Sequence, residues 1–284
     1  MTDPAPLLSL LVIGAHPDDC EFGAGGLAAL WRRAGQRVTF VSLTNGDAGH
    51  HLLGGPPLAR RRYAETRTVA ERWGLEYAVL DIHDGELEPS LRTRWTVMEL
   101  IRRAAPDLLL THRLNDYHPD HRACAQLVLD AAFLAFVPNS QPLSEPLPQR
   151  PVLAYLHDDF RRPYPFQPDL VIDTSPVIGD KVEMLHAHTS QLYEWLPFAA
   201  RRPEPVPEDD AERRAWLTGT YLSADEGMAE RYRPYLTERY GAAHAARVRY
   251  AEAFEISEYG PPWSAALEAR LAPVLATGGP GKRS

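Results

Sequence analysis

The sequence predicts an α/β fold: a Rossmann-like, mostly parallel sheet with helices on both faces, plus a mainly helical C-terminal elaboration. Three observations lead to this prediction. The chain opens with the apolar run Leu7–Ile13, which is typical of a strand buried on both faces. Strand-like and helix-like segments then alternate through the first half. Their spacing matches βαβ units with right-handed crossovers.

The first half of the chain supplies four of these strands and four helices. The predicted strands are Leu7–Ile13, Val38–Leu43, Tyr77–Leu80 and Leu108–Thr111. The predicted helices are Glu21–Ala34, Leu58–Trp73, Leu91–Ala104 and Asp120–Phe136. Gly74 is a C-cap signal for the second helix, and Pro106 ends the third. In the common strand order 3-2-1-4-5, the first and fourth strands are neighbours that flank the point where the order reverses.

The second half of the chain is less regular. We expect strands at Val152–Leu156 and Leu170–Ile172, a helix over Val177–Gln191, and Pro-rich loops over 138–151 and 201–210. Helical segments are then expected up to about Ala253. We predict a single domain over residues 1–275 and a disordered tail over residues 276–284.

Composition narrows the classes of function. A chain of 284 residues with 44% hydrophobic residues can bury a sizeable core, and its net charge of −8 without a long basic block disfavours nucleic acid as a partner. The two cysteines, Cys20 and Cys124, suggest a reducing compartment, so we expect a cytoplasmic protein. The first apolar run is too short to span a membrane. The composition is compatible with both a monomer and a homo-oligomer.

Two polar clusters follow the first and fourth predicted strands. The first is His16–Pro17–Asp18–Asp19, and the second runs from Asn115 to His121. Because ligands bind beyond the carboxyl ends of parallel strands, both clusters are expected in one crevice. Two imidazoles and one carboxylate would suit a catalytic zinc that keeps an open position. Taken alone, these residues could have structural roles instead. Asp18 or Asp19, for example, could be the N-cap of the following helix.

These motifs resemble the PIG-L/LmbE family of zinc-dependent N-deacetylases. The resemblance rests on AHPDDCE at 15–21 and HPDH at 118–121, and is extended by TNGDAG at 44–49 and RRYAE at 61–65. HAHTSQ at 186–191 and AEAF at 251–254 resemble later family segments. The family includes deacetylases of N-acetylglucosaminyl-phosphatidylinositol and of the precursors of mycothiol and bacillithiol.

The resemblance implies a role for each motif residue. The implied metal ligands are His16, Asp19 and His121, and Asp18 is implied as the general base toward the attacking water. His118 would polarise the amide carbonyl, which it would do best as a cation, and Asp120 would orient it.

Four further residues are implied or expected to contact the substrate. Arg62 and Asp84 match family positions that contact the sugar. Asp47 is equally compatible with a substrate contact and with a turn. His188 is compatible with a site contact and with a role as a helix-cap partner.

We therefore predict a metal-dependent hydrolase that removes an acetyl or other acyl group from an amino sugar or glycoside. Zinc is the expected metal, although the ligand types also suit Fe²⁺ or another divalent ion. One alternative is a related amidase that cleaves a sugar–thiol conjugate. The alternative from another class is a non-catalytic, Rossmann-like nucleotide-binding module, for which Gly23–Gly26 would be the phosphate-binding candidate.

Overall fold

The computed structural model describes residues 7–141 and 143–275 and contains a seven-stranded mixed sheet in the order β3-β2-β1-β4-β5-β7-β6. The strands are β1 Ser9–Gly14, β2 Arg37–Ser42, β3 Glu76–Val79, β4 Leu108–Thr111, β5 Val152–Leu156, β6 Leu170–Asp173 and β7 Ala251–Ile256. β1 to β5 pair in parallel, whereas β7 is antiparallel to both β5 and β6. The predicted fold class and the 3-2-1-4-5 order are confirmed.

Helices cover both faces of the sheet. They are α1 Asp19–Arg33, α2 Pro56–Trp73, α3 Leu91–Ala104, α4 Pro119–Leu134, α5 Ile178–Ala187, α6 Leu196–Ala199, α7 Asp210–Tyr221, α8 Ser223–Arg231, α9 Arg233–Tyr240, α10 Ala242–Ala245 and α11 Ala265–Leu275. Side chains of β1 alternate between the two cores: Leu10 and Val12 pack with α1, while Leu11 and Ile13 pack with α3 and α4. This double burial explains the continuous apolar run of the first strand.

The second half of the chain departs from the sequence prediction at β7, after α5, and at α11, for which no helix was predicted. Residues 251–256 form strand β7 rather than the end of a helical region. Alanine and glutamate favour helices locally, but pairing with β5 and β6 decides the structure, since strand preference depends strongly on context. The helix predicted over Val177–Gln191 ends at Ala187, and a π-helical turn follows over Gln191–Trp195. The tail at 276–284 lies outside the described residues.

Candidate active site

The site lies at the carboxyl ends of β1 and β4, where the strand order reverses. The two strands pair side by side, with Ile13 opposite Thr111, so the loops that follow them meet. The His16 ring lies 4.5 Å from the His118 ring and 5.1 Å from the His121 ring, centroid to centroid. Residues a hundred positions apart in the sequence thus share one crevice, as the motif placement predicts.

Three donor groups converge at distances that suit a metal ion. Nδ1 of His16 lies 3.2 Å from Nε2 of His121 and 3.5 Å from Oδ2 of Asp19. Nε2 of His121 lies 3.5 Å from Oδ1 of Asp19. Tetrahedral zinc holds such donors at about 2.0–2.1 Å, which places them roughly 3.3–3.4 Å from one another. The three residues therefore suit a zinc-type ion in chemistry, and their side chains converge at near-zinc spacing, with His16 nearest to Oδ2 of Asp19 and His121 nearest to Oδ1.

Carboxylates orient both histidine rings of this cluster. Nε2 of His16 lies 3.2 Å from Oδ1 of Asp84 and 3.2 Å from Oδ2 of Asp120, which leaves Nδ1 as the nitrogen that faces Asp19. Nδ1 of His121 lies 3.1 Å from Oδ2 of Asp116. Such partners fix the orientation of metal-binding imidazoles.

The charges in the cluster shift the pKa values of its members. Burial opposes ionisation of Asp19, but the neighbouring His121 and His112 outweigh it and hold the pKa of this carboxyl well below its usual range. Burial likewise opposes protonation of His121, but Asp19 and Asp116 outweigh it and raise the pKa of the ring. Histidine–carboxylate attraction therefore contributes to the stability of the cluster.

Asp18 is held in an unusual backbone conformation directly before α1. Its φ is 128°, in the region that favours glycine, and its side chain makes no capping hydrogen bond to the helix. The N-cap interpretation is therefore not supported. Burial raises the pKa of Asp18 to about 6, against the opposing effect of Arg62. This carboxyl is buried beside the cluster but faces Arg62 instead of completing the ligand set.

The surroundings of His118 correct two expectations. The backbone N–H of Asp120 donates to Nδ1 of His118 at 3.2 Å, so the neutral ring carries its proton on Nε2. Burial, His16 and His121 lower the pKa of His118, which argues against the expected cation. The Asp120 carboxylate accepts from the N–H of Gly85 at 2.7 Å and contacts the His16 ring. The carboxylate of Asp120 thus orients His16, while only the backbone N–H of Asp120 holds His118.

The four predicted substrate-binding residues make contacts that the sequence did not specify, and Arg62 and Asp84 contact the cluster directly. The Arg62 guanidinium is buried, lies 3.2 Å from Asp18 and donates to the backbone carbonyl of Pro17. Asp84 contacts His16. Asp47 accepts from the N–H of Asp84 at 3.1 Å and pairs with His83 at 2.6 Å, so it shapes the loop that carries Asp84.

His188 is fully buried behind Asp18. Its Nε2 lies 2.9 Å from Oε1 of Glu21, and the hydroxyl of Tyr77 donates to the other oxygen of Glu21 at 3.1 Å. Glu21, in the first turn of α1, is thus part of a buried hydrogen-bonded group. His188 is also the C-cap residue of α5, where its backbone N–H donates to the carbonyl of Leu185 at 3.0 Å.

Sequence reasoning missed His112 and gave no role to Asp116. His112 directly follows β4, is 8% exposed and lies 3.2 Å from Asp19 through Nε2. Burial lowers the pKa of His112, so it is a neutral ring. Its position directly after a buried strand was the available signal, the same signal that identified His16 after β1.

Fold and site together define a class: an α/β protein with a cluster of histidines and carboxylates that could hold a metal ion, and an adjacent buried carboxyl, at the switch point of its sheet. Residues 11–132 match the family described as PIG-L: GlcNAc-PI de-N-acetylase. The resemblance to the PIG-L family carried by the AHPDD and HPDH motifs is thereby confirmed. No helix within residues 7–141 and 143–275 has the length and apolar character needed to cross a membrane.

Individual relatives include enzymes of two kinds. Diacetylchitobiose deacetylase of Thermococcus kodakarensis is 29% identical over 205 residues, which cover 66% of this chain and 74% of that protein. 4-Oxalmesaconate hydratase of Pseudomonas putida is 25% identical over 198 residues, which cover 67% of this chain and 76% of that protein. The structure of N,N'-diacetylchitobiose deacetylase from Pyrococcus horikoshii shares the fold, with a TM-score of 0.66, 23% identity, and coverage of 88% of this chain and 84% of that one.

Proposed function

We propose that the protein is a metal-dependent deacetylase that hydrolyses the N-acetyl or N-acyl group of an amino sugar or glycoside. The observation that carries this proposal is the convergence of His16, Asp19 and His121 beside Asp18 and His118. Amide hydrolysis needs ligands for an electrophile, a base for water and a donor for the carbonyl oxygen, and this group of side chains supplies each of them. The match to the PIG-L family and the similarity to a diacetylchitobiose deacetylase support the sugar substrate.

His16, Asp19 and His121 would hold the metal, with zinc as the first choice and Fe²⁺ as the alternative. When bound, zinc polarises the substrate carbonyl and makes water acidic at near-neutral pH. Asp18 takes the proton from the attacking water as its oxygen bonds to the carbonyl carbon. A buried carboxyl with a pKa of about 6 suits this task, because it is mostly ionised at neutral pH yet still basic.

His118 and Asp18 complete the proposed reaction. The Nε2–H of neutral His118 donates to the carbonyl oxygen as negative charge develops there. Asp18 then passes its proton to the departing nitrogen while the carbon–nitrogen bond breaks. The products are a carboxylic acid, acetic acid for an N-acetyl substrate, and a free amine.

Two other activities are alternatives to the proposed one. A related amidase acting on a sugar–thiol conjugate would use the same groups and differ only in what the crevice accepts. Hydration of a carbon–carbon double bond is favoured by the similarity to 4-oxalmesaconate hydratase, since that reaction also adds water. A cytoplasmic location stays part of the proposal, supported by two buried, unpaired cysteines.

The test is an assay of the metal-loaded, full-length protein on a panel of N-acetylated sugars, glycosides and sugar–thiol conjugates. Free amine is measured with and without chelator, and His16→Ala is the control for metal loss. Hydration of 4-oxalmesaconate is followed in parallel. We expect amine release that the chelator abolishes and zinc restores. Turnover of 4-oxalmesaconate without any amine release would overturn the proposal in favour of a hydratase.

A further inference from the structure

We propose that His112 is a positioning residue that holds Asp19 so that only its Oδ1 is offered to the metal ion. This inference rests on the metal site of the proposed function and concerns how that site is built. His112 is the first residue after β4 and is almost fully buried beside the loop that follows β1. It contacts two of the three proposed ligands, Asp19 and His121.

The two oxygens of Asp19 have different surroundings. Oδ2 lies 2.9 Å from the backbone nitrogen of Ala15, 2.7 Å from that of His16 and 3.2 Å from Nε2 of His112. Oδ1 accepts no hydrogen bond from the described residues and lies 3.5 Å from Nε2 of His121. Three donors saturate Oδ2, so Oδ1 is the oxygen with lone pairs free for a metal.

His112 acts on Asp19 as a hydrogen-bond donor. The N–H of Ala15 lies near both Asp19 and His112, but its contact to Oδ2 of Asp19, at 2.9 Å, is shorter than the 3.2 Å to Nε2. The N–H of Ala15 therefore donates mainly to the carboxylate. Because an ionised carboxylate only accepts hydrogen bonds, the 3.2 Å contact between Nε2 of His112 and Oδ2 of Asp19 assigns the proton to Nε2. The main chain closes the other side, because a Cβ on Gly14 would lie only 2.6 Å from Cβ of Asp19.

His112 also packs against the ring of His121. The two imidazoles stack with centroids 4.0 Å apart and planes inclined by 10°. Stacking restrains the plane of the His121 ring, whose Nδ1 is held by Asp116. Asp19, His112 and His121 also lie close enough together to form an alternative ligand group. The direction of Nε2, toward the saturated oxygen of Asp19, assigns His112 to positioning instead of ligation.

The experiment separates donation, stacking and direct ligation. Full-length protein is stripped of metal, and its affinity for Zn²⁺ is measured in competition with a chromophoric chelator. His112→Phe keeps a stacking ring but removes the donor, whereas His112→Gln keeps an N–H donor and removes the stacked ring. We expect His112→Phe to bind Zn²⁺ about 10–100-fold more weakly, as is usual when an orienting partner is lost. We expect His112→Gln to recover most of that affinity.

Each other result would overturn the inference. If His112→Phe binds Zn²⁺ as tightly as the wild-type protein, then Asp19 needs no third hydrogen-bond donor. If the His112 variants lose Zn²⁺ binding as completely as His16→Ala does, then His112 is a metal ligand. Equal weakening in His112→Phe and His112→Gln would assign the effect to packing. Circular dichroism and thermal unfolding of the metal-free variants check that each one folds, and a variant that fails this check is replaced by His112→Asn and His112→Leu.

Failure of this inference and failure of the proposed function are distinguishable. Tight Zn²⁺ binding by the wild-type protein without amine release from any substrate overturns the deacetylase activity but leaves the role of His112 intact. If the wild-type protein releases amine but His112→Phe binds Zn²⁺ with unchanged affinity, the deacetylase activity stands and the role of His112 is overturned. A wild-type protein that binds no Zn²⁺ overturns both.

Discussion

Arg62 and Asp18 form a buried ion pair, with Nη2 of the guanidinium 3.2 Å from Oδ1 of the carboxyl. The same guanidinium donates to the carbonyls of Pro17 and Gly46, so it fixes both the side chain and the backbone of the strained Asp18 loop. The sequence had suggested that Arg62 holds sugar hydroxyls. Its contacts instead support a role in positioning the proposed base.

We predict that Arg62→Met lowers kcat by about 10²-fold on a sugar substrate and by a similar factor on a small, non-sugar acetamide. The reason is that both reactions need Asp18 in place, whereas only the sugar needs contacts to hydroxyls. Steady-state kinetics on the two substrates measure the effect, and Arg62→Lys should restore part of it. If kcat/KM falls only for the sugar substrate, mainly through a higher KM, then Arg62 binds the substrate instead of positioning Asp18.

The adjacent pair Asp18 and Asp19 should separate base from ligand. Asp18→Asn is expected to keep the metal and to lose turnover, because its carboxyl faces Arg62 while Asp19 faces His16 and His121. Asp19→Asn, His16→Ala and His121→Ala should lose metal binding. Elemental analysis of each purified variant measures the metal, and amine release measures turnover. The assignment is reversed if Asp18→Asn loses its metal and Asp19→Asn keeps it.

The sequence predicted most of the parallel half of the fold because each strand there is buried on both faces. Such strands appear in the sequence as continuous apolar runs. Right-handed βαβ connections then allow only a few orders of these strands in a sheet. Strand β7 was missed because Ala251 and Glu252 carry no apolar run. Glu252 is buried there because Lys181 of α5 lies 2.8 Å away and the backbone N–H groups of Gly26 and Leu27 donate to its carboxylate. Such long-range partners leave no local pattern in the sequence.

The site residues were predictable as a group and not as individual contacts. Motif spacing brought His16, Asp19 and His121 together, since it follows from where strands end. Side-chain partners depend on directions across the crevice, which the sequence does not encode locally. Asp120 therefore proved to contact His16, and His112, a lone histidine without a motif, was missed.

Lys181 is the buried countercharge of two carboxylates, and its loss should destabilise the fold. Its Nζ lies 2.8 Å from Asp225 and 2.8 Å from Glu252, with its side chain 1% exposed. Lys181→Met is expected to lower the free energy of unfolding by about 3–5 kcal/mol, since it leaves both acids unpaired in the interior. Denaturant unfolding at neutral pH gives the value. The control is Arg33→Met, which breaks the exposed pair with Asp180 and should cost less than about 1 kcal/mol. Equal losses would contradict the prediction.

His157 should make the fold acid-sensitive. The ring packs 4.8 Å from Phe166 and 5.9 Å from Tyr232, and burial lowers its pKa to about 4. Since the unfolded chain has the ordinary value of about 6.5, protonation favours unfolding. The contribution of His157 is therefore complete above about pH 6.5 and is lost as the pH falls toward about 4.

The measurement is the free energy of unfolding at about pH 7 and about pH 4.5 for the wild-type protein and His157→Gln. We expect the wild-type protein to lose up to roughly 2–3 kcal/mol more than the variant over this interval, because each unit of pKa shift corresponds to about 1.4 kcal/mol. Groups distant from His157 titrate equally in both proteins, so the difference reports on His157 and its neighbour Asp159. Parallel pH dependences would show that His157 is free to ionise in the folded state.

Tyr117 is an exposed aromatic residue at the rim of the crevice. Its ring is 73% exposed and lies 5.7 Å from the rings of both His118 and His121, with Phe160 at 6.4 Å on its other side. Phe160 belongs to a segment fixed by the buried Arg113, which lies 2.8 Å from Asp158. An aromatic face beside His118 and His121 is suited to stack on the apolar face of a sugar ring.

We predict that Tyr117→Ala raises KM for an N-acetylated sugar by roughly 3–10-fold while kcat changes little, since stacking of this kind contributes about 0.5–1.5 kcal/mol. Tyr117→Phe should behave like the wild-type protein, because it keeps the ring. A small acetamide that lacks a sugar should be hydrolysed at an unchanged rate by all three proteins. Tyr259→Ala, at an exposed tyrosine after β7, controls for loss of surface aromatic area. If Tyr117→Ala lowers kcat on both substrates, or loses metal, then Tyr117 supports the histidines beside it and does not bind the sugar.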